Sequence, residues 1–133
     1  MFDPIEVIKE LVRNPSVSTD PSYESGMQGT RDLLTRLFAE MDLEVEVIKT
    51  DRHPVVLAKR TGPDEWPHVV IYGHYDVQPP DPLDEWESPA FEPTMKGTRL
   101  YGRGVADNKG PMMAHVTAVA RLLEKDPDLP LRI

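Results

Sequence analysis

One histidine and two aspartates are the residues of this chain whose types and spacing could do chemistry. His74 and Asp76 form a His-x-Asp pair directly after the apolar stretch Val69–Tyr72, and Asp107 follows a glycine-rich turn. An imidazole offered together with a hard carboxylate suits a divalent metal ion such as zinc. The three residues are therefore candidates for a metal-dependent site.

The His-x-Asp pair follows an apolar strand, and open α/β sheets bind their ligands beyond the carboxyl ends of such strands. If the extended geometry continues, His74 and Asp76 point to the same side, roughly 6 to 7 Å apart. One could then bind a metal while the other supports it, because a carboxylate beside an imidazole fixes its tautomer and raises its basicity. Taken alone, the pair favours a simpler interpretation, in which a backbone carbonyl satisfies a loop histidine.

Two roles are open for Asp107, which lies between a turn containing Gly102 and Gly104 and a predicted helix. It could cap the free amides of Asn108–Gly110 or bind a metal, and its two carboxylate oxygens allow both. Lys109 is interpreted as a solvated charge near the helix start. A cation there opposes the helix dipole, which mildly favours a role for Lys109 that is unrelated to the helix.

The remaining histidines and the loop aromatic residues are given structural roles. His53 and His68 lie in turns beside prolines, and His115 lies on a predicted helix with no acidic or histidine partner one turn further on. Trp86 and Phe91 are expected to anchor a proline-rich loop and not to bind substrate.

Three amphipathic helices are predicted from apolar residues spaced at i, i+3, i+4 and i+7. The first begins with Asp3 as its cap, Pro4 in the first turn and Glu6 completing a capping box, and it stops at Asn14-Pro15. The other two cover about residues 24–41 and 109–125.

Strands are predicted between the helices, so the fold class is α/β with helices packed on a sheet. Leu43–Val47 alternates with period two and Val55–Ala58 follows a short turn. Val69–Tyr72 is apolar throughout, which predicts a strand covered on both faces. Residues 16–21 form a polar loop, and residues 78–93 are too rich in proline for a central strand or helix. A short strand is predicted at 98–101.

Composition argues against several kinds of partner. The net charge of -8, from 23 acidic and 15 basic residues, disfavours nucleic acid and anionic membrane surfaces. The sequence shows no bilayer-spanning run and no secretory signal. It contains no cysteine, which excludes disulfides and thiolate metal sites. A cytoplasmic location is expected.

The last residues predict that the domain is incomplete. Leu129–Ile133 begins a further apolar run, and a natural domain rarely stops on the opening residues of a buried strand. The sheet edge left without a neighbour is expected to promote self-association.

Three motifs in this order resemble the co-catalytic zinc metallopeptidases that include aminoacylase, acetylornithine deacetylase and the carnosinase-like dipeptidases. The motifs are Gly73–Pro79, Trp86–Pro93 and Leu100–Pro111. The preceding order of helices and strands agrees too, which extends the resemblance over nearly the whole chain. Tyr75, Gln78–Pro80 and Asp107–Pro111 look closest to the dipeptidase branch.

The resemblance implies that residues 1–133 are the N-terminal portion of a three-layer α/β/α catalytic domain, with helices packed on a mixed sheet. His74 would ligate one metal ion, Asp107 would bridge two, and Asp76 would be the catalytic-site carboxylate that orients the histidine. Two divalent ions, zinc or alternatively manganese or cobalt, would activate water and polarise the scissile carbonyl. The substrate would be a small peptide or an N-acyl amino acid.

The resemblance also implies that residues 1–133 lack part of the machinery. The family's general base, a glutamate next to a metal-binding glutamate, would follow the strand that begins at Leu131. Later ligands and a lid domain that usually forms a homodimer would lie further on. With His74 and Asp107 alone, each metal has at most two protein ligands instead of three. The isolated chain is expected to be inactive; the alternative is a non-catalytic metal- or peptide-binding module.

Overall fold

The computed structural model describes residues 2–133 and has the α/β class that the sequence predicts. Three helices and two small antiparallel sheets make up its regular structure. The helices are α1 (Pro4–Arg13), α2 (Glu24–Glu40) and α3 (Gly110–Lys125), and the strands are β1 (Glu44–Ile48), β2 (Val55–Lys59), β3 (Thr94–Lys96) and β4 (Arg99–Tyr101). Across residues 2–133, no helix has the length and apolar character needed to cross a membrane.

Helix α1 begins at Asp3, as predicted. The Asp3 carboxylate accepts hydrogen bonds from the backbone amides of Ile5 and Glu6, with Pro4 in the first turn. The capping box predicted for Glu6 is wrong, because its carboxylate pairs with Lys9 at 2.7 Å instead. One side-chain cap and a proline that lacks an amide donor are enough to start this helix.

The core lies where the three helices meet. Each helix contributes one stripe of residues spaced three or four apart. The stripes consist of Ile8, Leu11 and Val12 on α1, Leu33, Leu34 and Leu37 on α2, and Met113 and Val116 on α3. Helix α1 packs against α2 and α3, and α2 also packs against β1 and β2. The helix positions predicted from apolar spacing are therefore confirmed.

The two hairpins are antiparallel. In the first, Glu44 of β1 lies opposite Lys59 of β2. In the second, the predicted short strand β4 pairs with β3, which the sequence reasoning missed. The turn between β3 and β4 contains Gly97 at φ 61°, a conformation that glycine adopts without steric cost.

The prediction of a doubly covered strand at Val69–Tyr72 is wrong. Val70 and Tyr72 are 81% and 84% exposed. Pairing reaches only Val69, whose amide donates to Arg132 O at 3.0 Å next to the parallel bridge between His68 and Arg132. Among residues 2–133, no other strand lies beside the rest of the segment, so its apolar side chains have no covering layer.

Residues 131–133 lie between β2 and this segment. Ile133 and Arg60 exchange two backbone hydrogen bonds of 2.9 and 3.1 Å, the reciprocal pattern of an antiparallel pair. Arg132, on the other side, forms the parallel bridge to His68. Antiparallel and parallel pairing thus meet at these residues, as expected of a mixed sheet. An open groove of about 710 Å³ lies between α2, β2, α3 and residues 68–73.

The exposed segment gives a prediction about self-association. Replacing both Val70 and Tyr72 with lysine should reduce association of the chain, because charge on an unpaired apolar edge opposes strand pairing. Light scattering over a concentration series measures this. Leu83→Lys is the control, since Leu83 is 65% exposed but lies in a separate loop turn. An unsubstituted chain that stays monomeric at high concentration contradicts the prediction.

Gly26 and Gly29 give a matched pair of stability variants. A Cβ on Gly26 would lie 2.2 Å from the backbone oxygen of Pro15, whereas one on Gly29 would lie 2.2 Å from Oδ1 of Asn14 and meet only that residue's side chain. Gly26→Ala should therefore lower the free energy of unfolding by about 1–3 kcal/mol. Gly29→Ala should change it by less than about 1 kcal/mol, because the asparagine can move and alanine favours helix. Urea unfolding compares them, and equal effects would show that close contact with Pro15 is unimportant.

Candidate metal-binding site

The loop that carries the His-x-Asp pair is held against residues 16–18. Val17 and Val77 form a parallel bridge, in which the Val77 amide donates to Ser16 O at 2.9 Å. Ser16 Oγ donates to Tyr75 O at 2.6 Å. The Tyr75 hydroxyl in turn donates to Pro54 O at 2.6 Å. The backbone on both sides of Asp76 is therefore fixed.

His74 lies between two carboxylates. Its Nδ1 is 3.1 Å from both Oδ1 and the backbone oxygen of Asp76, and its Nε2 is 3.0 Å from Asp107 Oδ1. Ionised carboxylates and carbonyls only accept hydrogen bonds, so the ring donates from both nitrogens in its protonated form. The structure thus brings together the three residues selected from the sequence, although 33 positions separate His74 from Asp107.

These contacts raise the pKa of His74 above its ordinary value of 6.5. Burial of the ring acts to lower the pKa. The hydrogen bond that the ring donates to Asp107, together with the hydrogen bond to the Asp76 backbone and the charge of Asp76, outweighs that effect. The two carboxylates therefore stabilise the protonated ring.

Asp107 does not cap a helix. It lies within the turn Val105–Lys109 that leads into α3, and neither the turn nor α3 has a side-chain cap. Its backbone is extended, at φ -145° and ψ 97°. Its side chain is 80% exposed and faces His74. Of the two roles that the sequence leaves open, capping is excluded, and the carboxylate is accessible to an ion.

Gly104 sets the approach of this turn to the His-x-Asp loop. Its φ is 89°, and a Cβ there would lie 2.6 Å from Val77 Cγ1. A side chain would be strained by the backbone and would collide with Val77. Glycine at this position therefore lets the segment carrying Asp107 lie directly against the segment carrying His74.

Lys109 is fully buried, so its interpretation as a solvated charge is wrong. Its Nζ donates to Leu11 O at 2.7 Å and to Asn14 O at 3.0 Å. These carbonyls lie at the C-terminal end of α1, where the helix dipole favours a cation, and Leu11 O also accepts from the Asn14 amide at 3.2 Å. Burial lowers the pKa of Lys109 to about 7, and the charge of Asp76 offsets only part of this shift. The side chain ties α1 to the turn that carries Asp107.

The other histidines are not placed near His74 as further ligands. His53 Nε2 is 2.8 Å from Ser18 O, and His68 and His115 are exposed. Within residues 2–133, no group of three or more histidine and acidic side chains is arranged to hold an ion. His74 and Asp107 therefore form a pair of candidate ligands.

The anchoring role expected of Trp86 is confirmed. Its indole Nε1 donates to Pro80 O at 2.8 Å, and the Arg103 guanidinium lies 5.0 Å from its ring centroid. Phe91 packs against Tyr23 with ring centroids 6.0 Å apart. Both aromatic residues thus hold the proline-rich loop to other parts of the chain.

Ser18 is the site residue that the sequence reasoning missed, because it treated residues 16–21 as a polar loop. Ser18 Oγ donates to Asp76 Oδ2 at 2.6 Å. The alternation of Ser16, Val17 and Ser18 is the one available signal, since period two is typical of an extended segment with two different faces. Nothing in the sequence shows which residues those faces meet.

The donor set fits a divalent ion. Two ligand atoms about 2.0–2.2 Å from a tetrahedral zinc ion lie roughly 3.3–3.6 Å apart. His74 Nε2 and Asp107 Oδ1 are 3.0 Å apart, so a small movement of the exposed aspartate gives the required spacing. Asp76 contacts the opposite ring nitrogen, where carboxylates commonly support metal-binding histidines.

Comparison with known proteins identifies the class. Residues 70–133, which include His74, Asp76 and Asp107, match Peptidase family M20/M25/M40. These residues, nearly half of the chain, are thus similar to a family of peptidases, and the similar solved structures include a metallo-carboxypeptidase and a dipeptidase.

The similar proteins are enzymes of this kind. The chain is 37% identical over 119 residues to succinyl-diaminopimelate desuccinylase of Aromatoleum aromaticum, covering 90% of this chain and 29% of that enzyme. The M20 metallo-carboxypeptidase Sso-CP2 from Sulfolobus solfataricus is 33% identical with a TM-score of 0.86, over 99% of this chain and 29% of that one. Human carnosine dipeptidase 1 is 28% identical with a TM-score of 0.88, and the match covers 98% of this chain and 30% of that one. The chain thus spans less than a third of each relative.

The raised pKa of His74 gives a prediction about the metal-free chain. An NMR titration of the His74 ring should show a midpoint above 6.5. The stabilisation from the two carboxylates should be complete below the unfolded-state pKa, near 6.5, and be lost as the pH rises through the higher folded-state pKa. Asp107→Asn should lower the midpoint.

Asp84→Asn is the control for that titration, because it removes the same charge from an exposed loop turn. It should leave the midpoint unchanged. A His74 midpoint at or below 6.5, or one that responds equally to both substitutions, contradicts the paired-carboxylate geometry.

Proposed function

We propose that residues 1–133 are the N-terminal portion of the catalytic domain of a metal-dependent amidohydrolase that cleaves peptide or N-acyl amide bonds with metal-activated water. The observation that supports this most is the placement of His74 between Asp76 and Asp107. The match of residues 70–133 to a family of peptidases supports it from a separate direction.

The three residues have different roles in this proposal. His74 would hold one divalent ion through Nε2, once the proton on that nitrogen has passed to solvent. Asp107, whose side chain is 80% exposed, would offer its carboxylate oxygens to that ion and to a second one. Asp76 holds Nδ1 so that Nε2 faces the ion. Zinc is the proposed metal, with manganese and cobalt as alternatives; when bound, the ions supply Lewis acidity to water and to the scissile carbonyl.

The proposed substrate is a small peptide or an N-acyl amino acid. The structural neighbour named carnosine dipeptidase 1 supports a dipeptidase, whereas the relative named succinyl-diaminopimelate desuccinylase supports hydrolysis of an N-succinyl amide. We favour the dipeptidase branch because of the motif forms at Tyr75, Gln78–Pro80 and Asp107–Pro111. The whole protein is proposed to act as a homodimer.

The decisive experiment assays the protein at the full length of its relatives with dipeptides and N-succinyl amino acids. Hydrolysis should be saturable and sensitive to chelators. His74→Ala should lower kcat/KM by at least roughly 10- to 100-fold, which is the usual cost of losing a residue that only hydrogen-bonds to a metal ligand. His115→Ala is the control, since His115 is exposed on α3. Absence of chelator-sensitive hydrolysis, or an adjacent sequence without the paired glutamates and later ligands, contradicts the proposal.

The 133-residue chain alone should be inactive. Because it supplies only a pair of candidate ligands, zinc should bind weakly in calorimetry and no turnover should follow added zinc, manganese or cobalt. Tight, stoichiometric zinc binding without turnover would instead favour the non-catalytic metal-binding module.

A further inference from the structure

We propose that Ser18 is a positioning residue that fixes the Asp76 carboxylate and, through it, the orientation of His74. This inference rests on the metal-binding role proposed for His74. It concerns a residue some 58 positions earlier in the chain, outside residues 70–133 that define the family match.

The Asp76 carboxylate needs a second contact to stay in place. Its side chain is 41% exposed, so water can reach it and compete for its oxygens. Its contact to His74 is one 3.1 Å hydrogen bond, and the backbone oxygen of Asp76 accepts from the same Nδ1 at the same distance. The ring would therefore still have an acceptor if the carboxylate rotated away.

Ser18 supplies that second contact from the opposite direction. Its Oγ donates to Asp76 Oδ2 at 2.6 Å while Oδ1 faces His74. With both oxygens engaged, rotation of the carboxylate about either side-chain bond breaks at least one hydrogen bond. Hydrogen bonds to charged groups are stronger than those between neutral groups.

The serine is itself held rigidly enough to do this. The residue before it, Val17, is buried and forms the parallel bridge to Val77. The Ser18 carbonyl is 2.8 Å from His53 Nε2, which comes from the turn between β1 and β2. The hydroxyl of Ser18 is thus presented to Asp76 by contacts with two separate parts of the chain.

Ser16 provides a matched control. It lies on the same segment and is buried, whereas Ser18 is partly exposed, and the Ser16 hydroxyl donates to Tyr75 O and does not touch Asp76. Ser16→Ala therefore weakens the attachment of the segment while leaving the serine–aspartate contact chemically intact. A purely structural role for the segment predicts similar results for Ser16→Ala and Ser18→Ala.

The first measurement needs no metal. Three-bond couplings between Hα and the two Hβ atoms report the χ1 rotamer of Asp76 in the metal-free chain. The unsubstituted chain and Ser18→Thr should show the couplings of a single rotamer, which are one large and one small value or two small values. Ser18→Ala should show two intermediate, averaged couplings, and Ser16→Ala should not. Averaged couplings in the unsubstituted chain, or single-rotamer couplings in Ser18→Ala, overturn the inference.

The second measurement is a double-mutant cycle on zinc affinity, read from the His74 ring signals. Ser18→Ala should weaken binding on the order of 10-fold, as loss of an outer partner does, and should have no further effect when combined with Asp76→Ala. Ser16→Ala should change the zinc affinity by the same factor whether or not Asp76→Ala is present. Additive effects of Ser18→Ala and Asp76→Ala count against the inference. If zinc binding by the 133-residue chain is too weak to measure, the couplings decide the role of Ser18, and the full-length assay above decides the metal role.

Discussion

The contact of one imidazole with two carboxylates is the interaction on which the rest of this structure depends. His74 and Asp76 lie in one loop and Asp107 in another, so the fold must hold two distant segments within hydrogen-bonding distance. Like charges would otherwise keep the aspartates apart, and the protonated ring relieves that repulsion. A divalent ion can take the place of the proton on Nε2. It also carries positive charge, and both the imidazole nitrogen and the carboxylate oxygen are ligands for such ions.

Buried polar contacts do most of this positioning, and they come from the N-terminal fifth of the chain. Lys109 joins the end of α1 to the segment that carries Asp107, while residues 16–18 lie along the loop that carries His74. These contacts are buried or partly buried, so losing one partner leaves the other incompletely hydrogen-bonded. The exposed side chains of His74, Asp76 and Asp107 are thus mounted on a frame that is mostly buried.

The sequence predicted the parts that depend on local pattern. Apolar spacing located α1, α2 and α3, and residue chemistry selected His74, Asp76 and Asp107. It failed where the outcome depends on distant partners. The run Val69–Tyr72 has the composition of a covered strand. Its side chains stay exposed because the strand pairing observed at His68 does not continue along the run. Lys109 looks like a surface charge until the carbonyls of α1 are placed beside it, and Ser18 has no visible role until it meets Asp76.

The central claim is that His74 Nε2 and Asp107 Oδ1 share one divalent ion. Anomalous diffraction at the zinc edge, from crystals of the chain equilibrated with millimolar zinc, tests it most directly, because high concentration fills a weak site and the signal locates the ion. The account predicts a peak about 2.0–2.2 Å from both atoms. A peak only at His53, His68 or His115, with His74 still bonded to Asp107, would contradict it.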